Sequence, residues 1–518
     1  MRCSSEYLLL GTEVLLYRLF GKLNANMNIA IIGAGFAGLS TAKVLKAFGH
    51  TVTVFEKESD VGGVWSASRR YPGLTTQNVR STYALSDFPY PEDYPEWPSG
   101  EQVQRYLEDY AQHFDLYKHL RLDTIVISTL LEESGRWTVE SLHEGTNTTE
   151  TFDYLVVCNG IFSQPFVPEF EGAEAFKSQG GRILHTSEFH HVEEARGENV
   201  LVVGYGKSAC DIAQAVCMVA ASTVVVARQL IWKVPRKLLN ILNYKYLLLT
   251  RLGEGLFKYR TLKGVEKFLH GSGRPLRNAM LAQVQWIVTR QCRLKQLDLL
   301  PEQPFEAIAR STVSLSTEGF YKSVDSGKIR VKRNTAVLRI MQIEEQSFAE
   351  LKTGELIAVD TIICGTGWTQ RVPFFSESLC KNIVDARGNF RLYRAMVPVG
   401  VPNLAFNGYN SSLFSQLNCE IGALWIAGLI DESIKLPAEA HQNETIDRRL
   451  DWMERFTEGK HARGTNVIPF SLHHIDELLA DMDIKLNPLV RLKQWLLPID
   501  PGDFVSVTQR RLSNREGR

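Results

Sequence analysis

No charge of either sign is in excess here: over 518 residues, 58 Lys and Arg balance 58 Asp and Glu. A basic surplus that would attract nucleic acid is missing, and so is an acidic, disordered tail. The eight cysteines include no Cys-x-x-Cys pair, which excludes a zinc ribbon and a dithiol redox centre, and no acid, histidine or cysteine cluster has metal-ligand spacing, so no metal is expected. Cys158, Cys210, Cys217 and Cys364 sit in apolar stretches and read as buried reduced thiols, which points to a reducing, cytoplasmic setting. Long hydrophobic runs are absent too. Residues 7–20 are largely apolar, but Glu13 and Arg18 interrupt them; the stretch is too short to span a bilayer and lacks a small-residue cleavage site. Residues 1–26 read as an extension outside the core, a frayed or surface-docked helix, with Met27 as an alternative start and a weak membrane anchor as a third reading. Low-complexity tracts and short tandem repeats are also missing.

Two glycine-rich loops are present, roughly 170 residues apart: Gly33-Ala34-Gly35-Phe36-Ala37-Gly38 and Gly204-Tyr205-Gly206-Lys207-Ser208-Ala209. Each follows a β-branched apolar run and opens an Ala-rich helical stretch, the strand–turn–helix context of a dinucleotide fingerprint. The first Gly makes the tight turn, the second admits a pyrophosphate to the backbone, and the third position needs a small residue for helix–strand packing. Two such loops suggest two dinucleotides in one protein. After the first loop a strand ends in Glu56, where a carboxylate accepts hydrogen bonds from ribose hydroxyls and repels a 2′-phosphate. After the second, the matching strand ends in Arg228, whose guanidinium suits a 2′-phosphate, and Lys207 offers a second positive charge. The first site therefore reads as FAD and the second as NADPH; the bland alternative for Arg228 is a solvated strand-end charge.

Strand-like and helical runs alternate, giving an α/β chain with parallel sheets. The expected order is an FAD-binding part over 27–165, an NADPH-binding domain over 166–335, a return to the FAD domain over 336–435, and a helical region over 436–518. Residues 100–114 read as a helix with Val103, Leu107, Tyr110 and Ala111 on one face. Two hairpin strands flank Gly135, and Asn147 is expected in a polar turn. The run Asp360-Thr361-Ile362-Ile363-Cys364 resembles Asp153-Tyr154-Leu155-Val156-Val157, which suggests that the chain is back in the first domain by residue 360. Leucine-rich residues 238–257, broken by Lys245, Arg251 and Glu254, read as the start of an amphipathic helical insert over 238–300, lying at a membrane surface or over the active site. Ile475, Leu478, Leu479 and Met482 fall at helical spacing in the tail, which reads as a packing cap.

Residues 29–38, Glu56-Lys57 with Gly62-Gly63-Val64-Trp65, Ser86-Asp87-Phe88-Pro89 and the loop over 204–211 resemble the class B flavin-dependent monooxygenases. These are the dimethylaniline-monooxygenase-like enzymes, with plant auxin-synthesis and Baeyer–Villiger monooxygenases as relatives. Gly181, His185 and Phe189 are similar to that family's linker motif, although Gln179 stands where the motif begins with Phe and the nearest Phe is Phe176. The resemblance implies two Rossmann-like domains, the NADPH domain inserted into the FAD domain, with Gly33, Gly35, Gly38, Glu56, Lys57, Gly63, Val64 and Trp65 at the first nucleotide and Gly204, Gly206, Lys207, Ser208, Ala209 and Arg228 at the second. It also implies cofactor chemistry: NADPH reduces FAD, and dioxygen then gives a flavin hydroperoxide that is attacked by an amine or sulfide or attacks a ketone. Gln77 falls where heteroatom oxygenases carry Asn, with Asn78 adjacent, so these two amides are the candidates to face the flavin; capping of a turn is their alternative role. His185 is expected to couple the domains, with an ordinary packing histidine as the alternative. Residues 407–418, with Ser411, Ser412 and Gln416, match a family segment that returns to the flavin.

The leading expectation is oxygen insertion into nitrogen or sulfur of a small lipophilic molecule, with that molecule and dioxygen as partners and no nucleic acid. Baeyer–Villiger oxidation of a ketone is the runner-up, opposed by Phe189 and by the absence of Asp near Gln77. A flavin disulfide reductase lacks its cysteine pair here, and a non-catalytic nucleotide sensor would consume no oxygen. Peripheral membrane contact and oligomeric state stay open.

Overall fold

This computed structural model describes residues 26–310, 314–458, 463–465 and 471–516. The N-terminal extension lies outside them, apart from Asn26. Strands β1 (Asn28–Ile32), β2 (Thr51–Phe55), β3 (Leu120–Arg121) and β4 (Tyr154–Val157) come first; β5 (Arg182–His185), β6 (Asn199–Val203), β7 (Ser222–Ala227), β8 (Arg330–Arg333) and β9 (Thr361–Cys364) follow, and β10 (Leu404–Phe406) is last of those that build the two main sheets. The first sheet has the order β10-β4-β1-β2-β3 and the second β8-β7-β6-β9-β5, with every neighbouring pair parallel. Strands such as Ile-Ala-Ile-Ile and Val-Leu-Val-Val are apolar at consecutive positions because both faces of each sheet are covered.

The two sheets have the same topology once β5 is set against β10. Each unit also carries a three-stranded antiparallel meander before its fourth strand, over 124–152 in the first and 337–358 in the second. Asn147 lies inside the third strand of the first meander, Thr146–Phe152, opposite Leu142; the turn falls at Glu144 and Gly145, which both have positive φ.

This topology corrects the expected return to the first domain by residue 360. β9 pairs with β6 and β5 of the second sheet, and the chain rejoins the first sheet only at β10, beside β4. Residues 360–364 resemble 153–157 because they hold the same place in the other unit. Asp153 accepts from the backbone N–H of Asn28 at 2.8 Å and Asp360 from that of Asn199 at 2.7 Å, so each fourth strand supplies a carboxylate to the start of its own first strand. The boundary expected at 335 moves past β9.

Helix α1 (Phe36–Ala47) follows the first glycine loop, and α2 (Gly100–His113) has a capping box, with Ser99 and Gln102 bonded reciprocally at its start. Val103, Leu107, Tyr110 and Ala111 form its buried face. Helix α3 (Lys207–Val216) follows the second loop, and α4 (Ser415–Ile430), α5 (Glu439–Thr457) and α6 (Leu472–Asp481) complete the set used below. α4 is buried on nearly every side between α1 and α6, which is why its sequence is apolar all round. Its one carboxylate, Glu420, accepts at 2.8 Å from both the N–H and the hydroxyl of Ser86 and lies 3.7 Å from Lys43, which pairs with Asp87 at 2.5 Å. Ser86 and Asp87 thereby fasten the loop between β2 and α2 onto α1 and α4.

The expected amphipathic helix at 238–257 is instead a hairpin of Lys237–Leu238 with Leu242–Asn243, followed by helices Lys245–Leu248 and Arg251–Gly255. Its interrupting charges are not on a solvent face: Arg251 pairs with Asp476 at 2.7 Å, and the Glu254 carboxylate accepts from the N–H groups of Ser471 and Leu472 at 2.6 and 2.9 Å. Those contacts bind the insert to the C-terminal helices. Among the described residues, no helix is long and apolar enough to cross a membrane.

Candidate active site

The carboxyl ends of β1 and β4 open onto a cavity of about 360 Å³, where open α/β sheets bind ligands. Of the residues assigned to the first nucleotide, Gly33, Gly35, Glu56, Lys57, Gly63, Val64 and Trp65 line it together. Gly33 has φ +109°, and a Cβ there would lie 2.5 Å from the carbonyl oxygen of Cys158; only Gly fits. A Cβ on Gly38 would lie 1.8 Å from the carbonyl oxygen of Gly33, so this position is set by helix–strand packing and not by the cavity. Gly35 and Gly63 face one another: a Cβ on Gly35 would find Gly63 at 3.6 Å, and one on Gly63 would find Gly35 at 3.3 Å. The backbone would tolerate the first, but the added group would fill the cavity wall.

Glu56 is buried, and its two oxygens accept from the N–H groups of Ala34 at 2.7 Å and Glu58 at 3.0 Å. Burial raises its pKa, and those two bonds oppose the rise. A carboxylate offers about four lone-pair sites, so two remain for a diol. Lys57 is half exposed and 3.3 Å from Glu58.

Three wall residues were not singled out as a set from sequence, because they come from segments far apart in the chain. Tyr83 is partly buried, with its ring edge-on to that of Trp65 at 5.9 Å; burial pushes its pKa up, and the side chains of Gln416 and Trp65 oppose the rise. The Oε1 of Gln416 is buried with no hydrogen-bond partner, and Gln416 lines the cavity with Ser411 and Ser415. Arg69 also lines it, donates to the Phe162 carbonyl, and lies over the Trp368 ring at 4.9 Å. Gln416 belongs to the segment over 407–418 that the resemblance returns to the flavin; Tyr83 and Arg69 carry no local motif.

Gln77 and Asn78 lie outside the cavity wall. The amide N–H of Asn78 donates to the Leu413 carbonyl at 2.6 Å, the backbone N–H of Leu315 donates to Gln77 Oε1 at 3.1 Å, and Tyr244 donates to the Gln77 carbonyl at 2.7 Å. With Arg236 on Thr75 at 2.7 Å, this segment joins the two domains. His185 is also buried away from the cavity. Its Nδ1 is 2.8 Å from the Ser187 hydroxyl, its Nε2 is 3.0 Å from the Gly367 carbonyl, and its ring is 4.6 Å from that of Trp368. Burial lowers its pKa, leaving a neutral ring with both nitrogens engaged. Phe176 packs against Gly181, where a Cβ would lie 2.3 Å from the ring, so it covers the linker glycine from three residues before the motif position. Phe189 is fully buried.

In the second loop, Gly204 has φ +123°, with a hypothetical Cβ 2.4 Å from the Gly365 carbonyl oxygen, while Gly206 faces open space. Ala209 is the small residue against Gly365: a Cβ on that glycine would approach Ala209 to 2.7 Å. Ser208 is in the first turn of α3, where unpaired N–H groups favour an anion. Lys207 does not offer a free charge, because its ammonium is 2.5 Å from both oxygens of buried Asp211. Arg228, at the end of β7, is exposed, and no carboxylate among the described residues pairs with it.

Residues 26–499 match the model of the flavin-binding monooxygenase-like family. The chain is 27% identical over 448 residues to human flavin-containing monooxygenase 1, covering 82% of this chain and 77% of that protein. Among solved structures it is similar to the S-allyl-L-cysteine S-oxygenase of Allium sativum, at TM-score 0.60 and 20% identity over 95% of this chain and 94% of the other. It is also similar to a steroid monooxygenase bound to NADP, at TM-score 0.65 and 20% identity over 88% and 98%. The chain belongs to the flavin-binding monooxygenase-like family and is an oxidoreductase of the monooxygenase type.

Proposed function

We propose that this protein uses FAD and NADPH to insert one oxygen atom of dioxygen into nitrogen or sulfur of a small lipophilic molecule. The observation that carries this is the cavity wall: it is mostly apolar, and its single carboxylate among the described residues, Glu56, is fastened by two backbone N–H groups at the ribose end. The residues suit FAD, since Gly35 and Gly63 form a cradle that a side chain would fill and Gln416 Oε1 awaits a donor. Gly33, Gly35 and Gly63 would accommodate the pyrophosphate, Glu56 would accept from the ribose, and Lys57, Val64 and Trp65 would close the wall. Gly204, Gly206, Ser208 and Ala209 would receive the NADPH pyrophosphate, with Arg228 on the 2′-phosphate and Lys207 holding the loop through Asp211. Bound FAD supplies the redox chemistry, taking electrons from NADPH and activating dioxygen.

The chain's own groups orient and exclude water. Tyr83 and Gln416 provide a fixed polar edge, and Arg69, His185 and Trp368 link that edge to the second domain. No wall carboxylate is placed to hold a proton for acid–base chemistry, and a soft nucleophile such as a tertiary amine or a sulfide requires none. The test is NADPH oxidation and dioxygen uptake by the FAD-loaded protein with a panel of amines, sulfides and ketones. Formation of N-oxide or sulfoxide matched to NADPH consumed supports the reading. Conversion of ketones to esters in preference supports Baeyer–Villiger chemistry, and no substrate-dependent oxygen uptake removes both.

A further inference from the structure

Away from the glycine loops, a small cavity of about 20 Å³ lies between α5, α6 and the segment at Tyr259 and Arg260. Three guanidinium groups line it, those of Arg260, Arg394 and Arg449, against one carboxylate, that of Glu477. Glu477 is fully engaged: Arg260 lies 2.5 and 2.6 Å from its two oxygens, Arg394 donates at 3.0 Å and Tyr259 at 3.2 Å. Arg394 is further held by Asp481, through two bonds of 2.8 Å. Arg449 has no such partner. It is 8% exposed, its Nη2 makes two long bonds of 3.4 Å to the carbonyls of Leu392 and Gly464, and its Nη1 is buried with no hydrogen-bond partner.

Nearby acids do not supply the missing charge. On α5, Asp447 pairs with Arg391 and Glu454 with Arg387, both at the surface, and Asp451 is exposed. Glu254 and Glu266 hold His473, which stacks on Tyr259 at 4.2 Å. Residues 459–462 and 466–470 contain no Asp or Glu. His474, the remaining ionisable wall residue, has its ring nitrogens 2.9 Å from Asn418 Oδ1 and the Arg394 carbonyl. A buried guanidinium without a counter-charge is costly, and burial lowers its pKa to about 10.

We propose that this cavity binds one small monovalent anion of chloride size on Arg449 Nη1. Its volume holds about one water-sized particle, which excludes phosphate, sulfate and organic carboxylates. A water could accept the Nη1 hydrogen bond but would not offset the charge. The occupant would tie α5 to α6, and α6 packs on α4, which carries Gln416 and Cys419 of the larger cavity. The inference does not depend on the substrate read for that larger cavity.

The experiment compares thermal unfolding of the full-length, FAD-loaded protein in sodium chloride, sodium gluconate and sodium sulfate at matched ionic strength. Site binding predicts a saturable rise in Tm of about 2 °C or more in chloride alone, and its loss in Arg449→Gln. Should that variant fail to fold, crystals of the unaltered protein in sodium bromide give the second reading, an anomalous peak beside Arg449 Nη1. Equal Tm in chloride and gluconate overturns the proposal. So does a chloride effect that survives in a folded Arg449→Gln protein. Bromide density without any Tm response means an adventitious ion only, and overturns it as well.

Discussion

Gly35 and Gly38 occupy one motif yet are required for different reasons, and substitution separates them. The Cβ of Gly35→Val meets only Gly63 at an ordinary distance, so the protein is expected to fold but to lose FAD; near-wild-type circular dichroism with no flavin absorbance is the expected pair of results. Gly38→Val drives a Cβ into the Gly33 carbonyl at 1.8 Å. Overpacking of this kind costs about 1–3 kcal/mol or more, and a clear fall in Tm is expected. If Arg228 meets the 2′-phosphate as proposed, Arg228→Ala removes one charged hydrogen bond worth about 1.5–3 kcal/mol. The KM for NADPH should rise roughly ten- to a hundredfold while that for NADH barely moves, as steady-state kinetics would show. The placing of these glycines and of Glu56 was legible in the sequence because a dinucleotide loop is a local device, complete within about thirty residues. Tyr83 and Gln416 were not legible as a pair: they meet on one cavity wall from positions more than three hundred residues apart, and Tyr83 has no motif of its own.

The elements are held by a few buried charges as well as by apolar packing. Glu420 on α4 relies on Ser86 and Lys43, and Lys43 in turn satisfies Asp87. Lys43→Met leaves the buried Glu420 and the partly exposed Asp87 without the cation they share. Breaking a buried pair costs about 3–5 kcal/mol, so the variant should unfold well below the parent in a thermal scan, with flavin release in the same transition. Helix α2 was readable from the spacing of its apolar face, while its Ser99 cap came with the structure. The insert at 238–257 was not, because its charged residues fit a solvated helix face equally well until Asp476 and the backbone of Ser471 and Leu472 arrive from the tail. β9 was misplaced for a related reason. A strand with an aspartate before it has the same local pattern in both units, and only pairing partners distinguish them.

For the molecule as a whole, the junction between the insert and the tail sets a pH dependence. His473 lies 2.9 Å from Glu254 and 2.6 Å from Glu266, and although burial opposes its charge, the two carboxylates raise its pKa to about 10. The folded state therefore holds this proton more tightly than the unfolded chain does. Its contribution is fully present below about pH 6.5 and is lost as pH rises through about 10. Tm measured from pH 6 to 10 should fall, and His473→Gln should flatten that part of the profile while lowering its acidic end.

The two nucleotide units are joined by covalent chain at two places, after β4 and after β9. Just beyond those strands, Gln164–Pro165 pairs antiparallel with Trp368–Thr369, making a narrow two-stranded strap beside the cavity. A single tether would leave one body free to swivel in any direction about the other. A strap of two hydrogen-bonded strands bends more easily across its flat face than within it, so it would favour a hinge-like movement of the units over a free swivel. Gln164 lines the larger cavity and Trp368 touches His185 and Arg69, so that hinge line runs past the cavity itself. The side chains that meet the reacting molecule therefore lie close to the strap, where bending would displace them least.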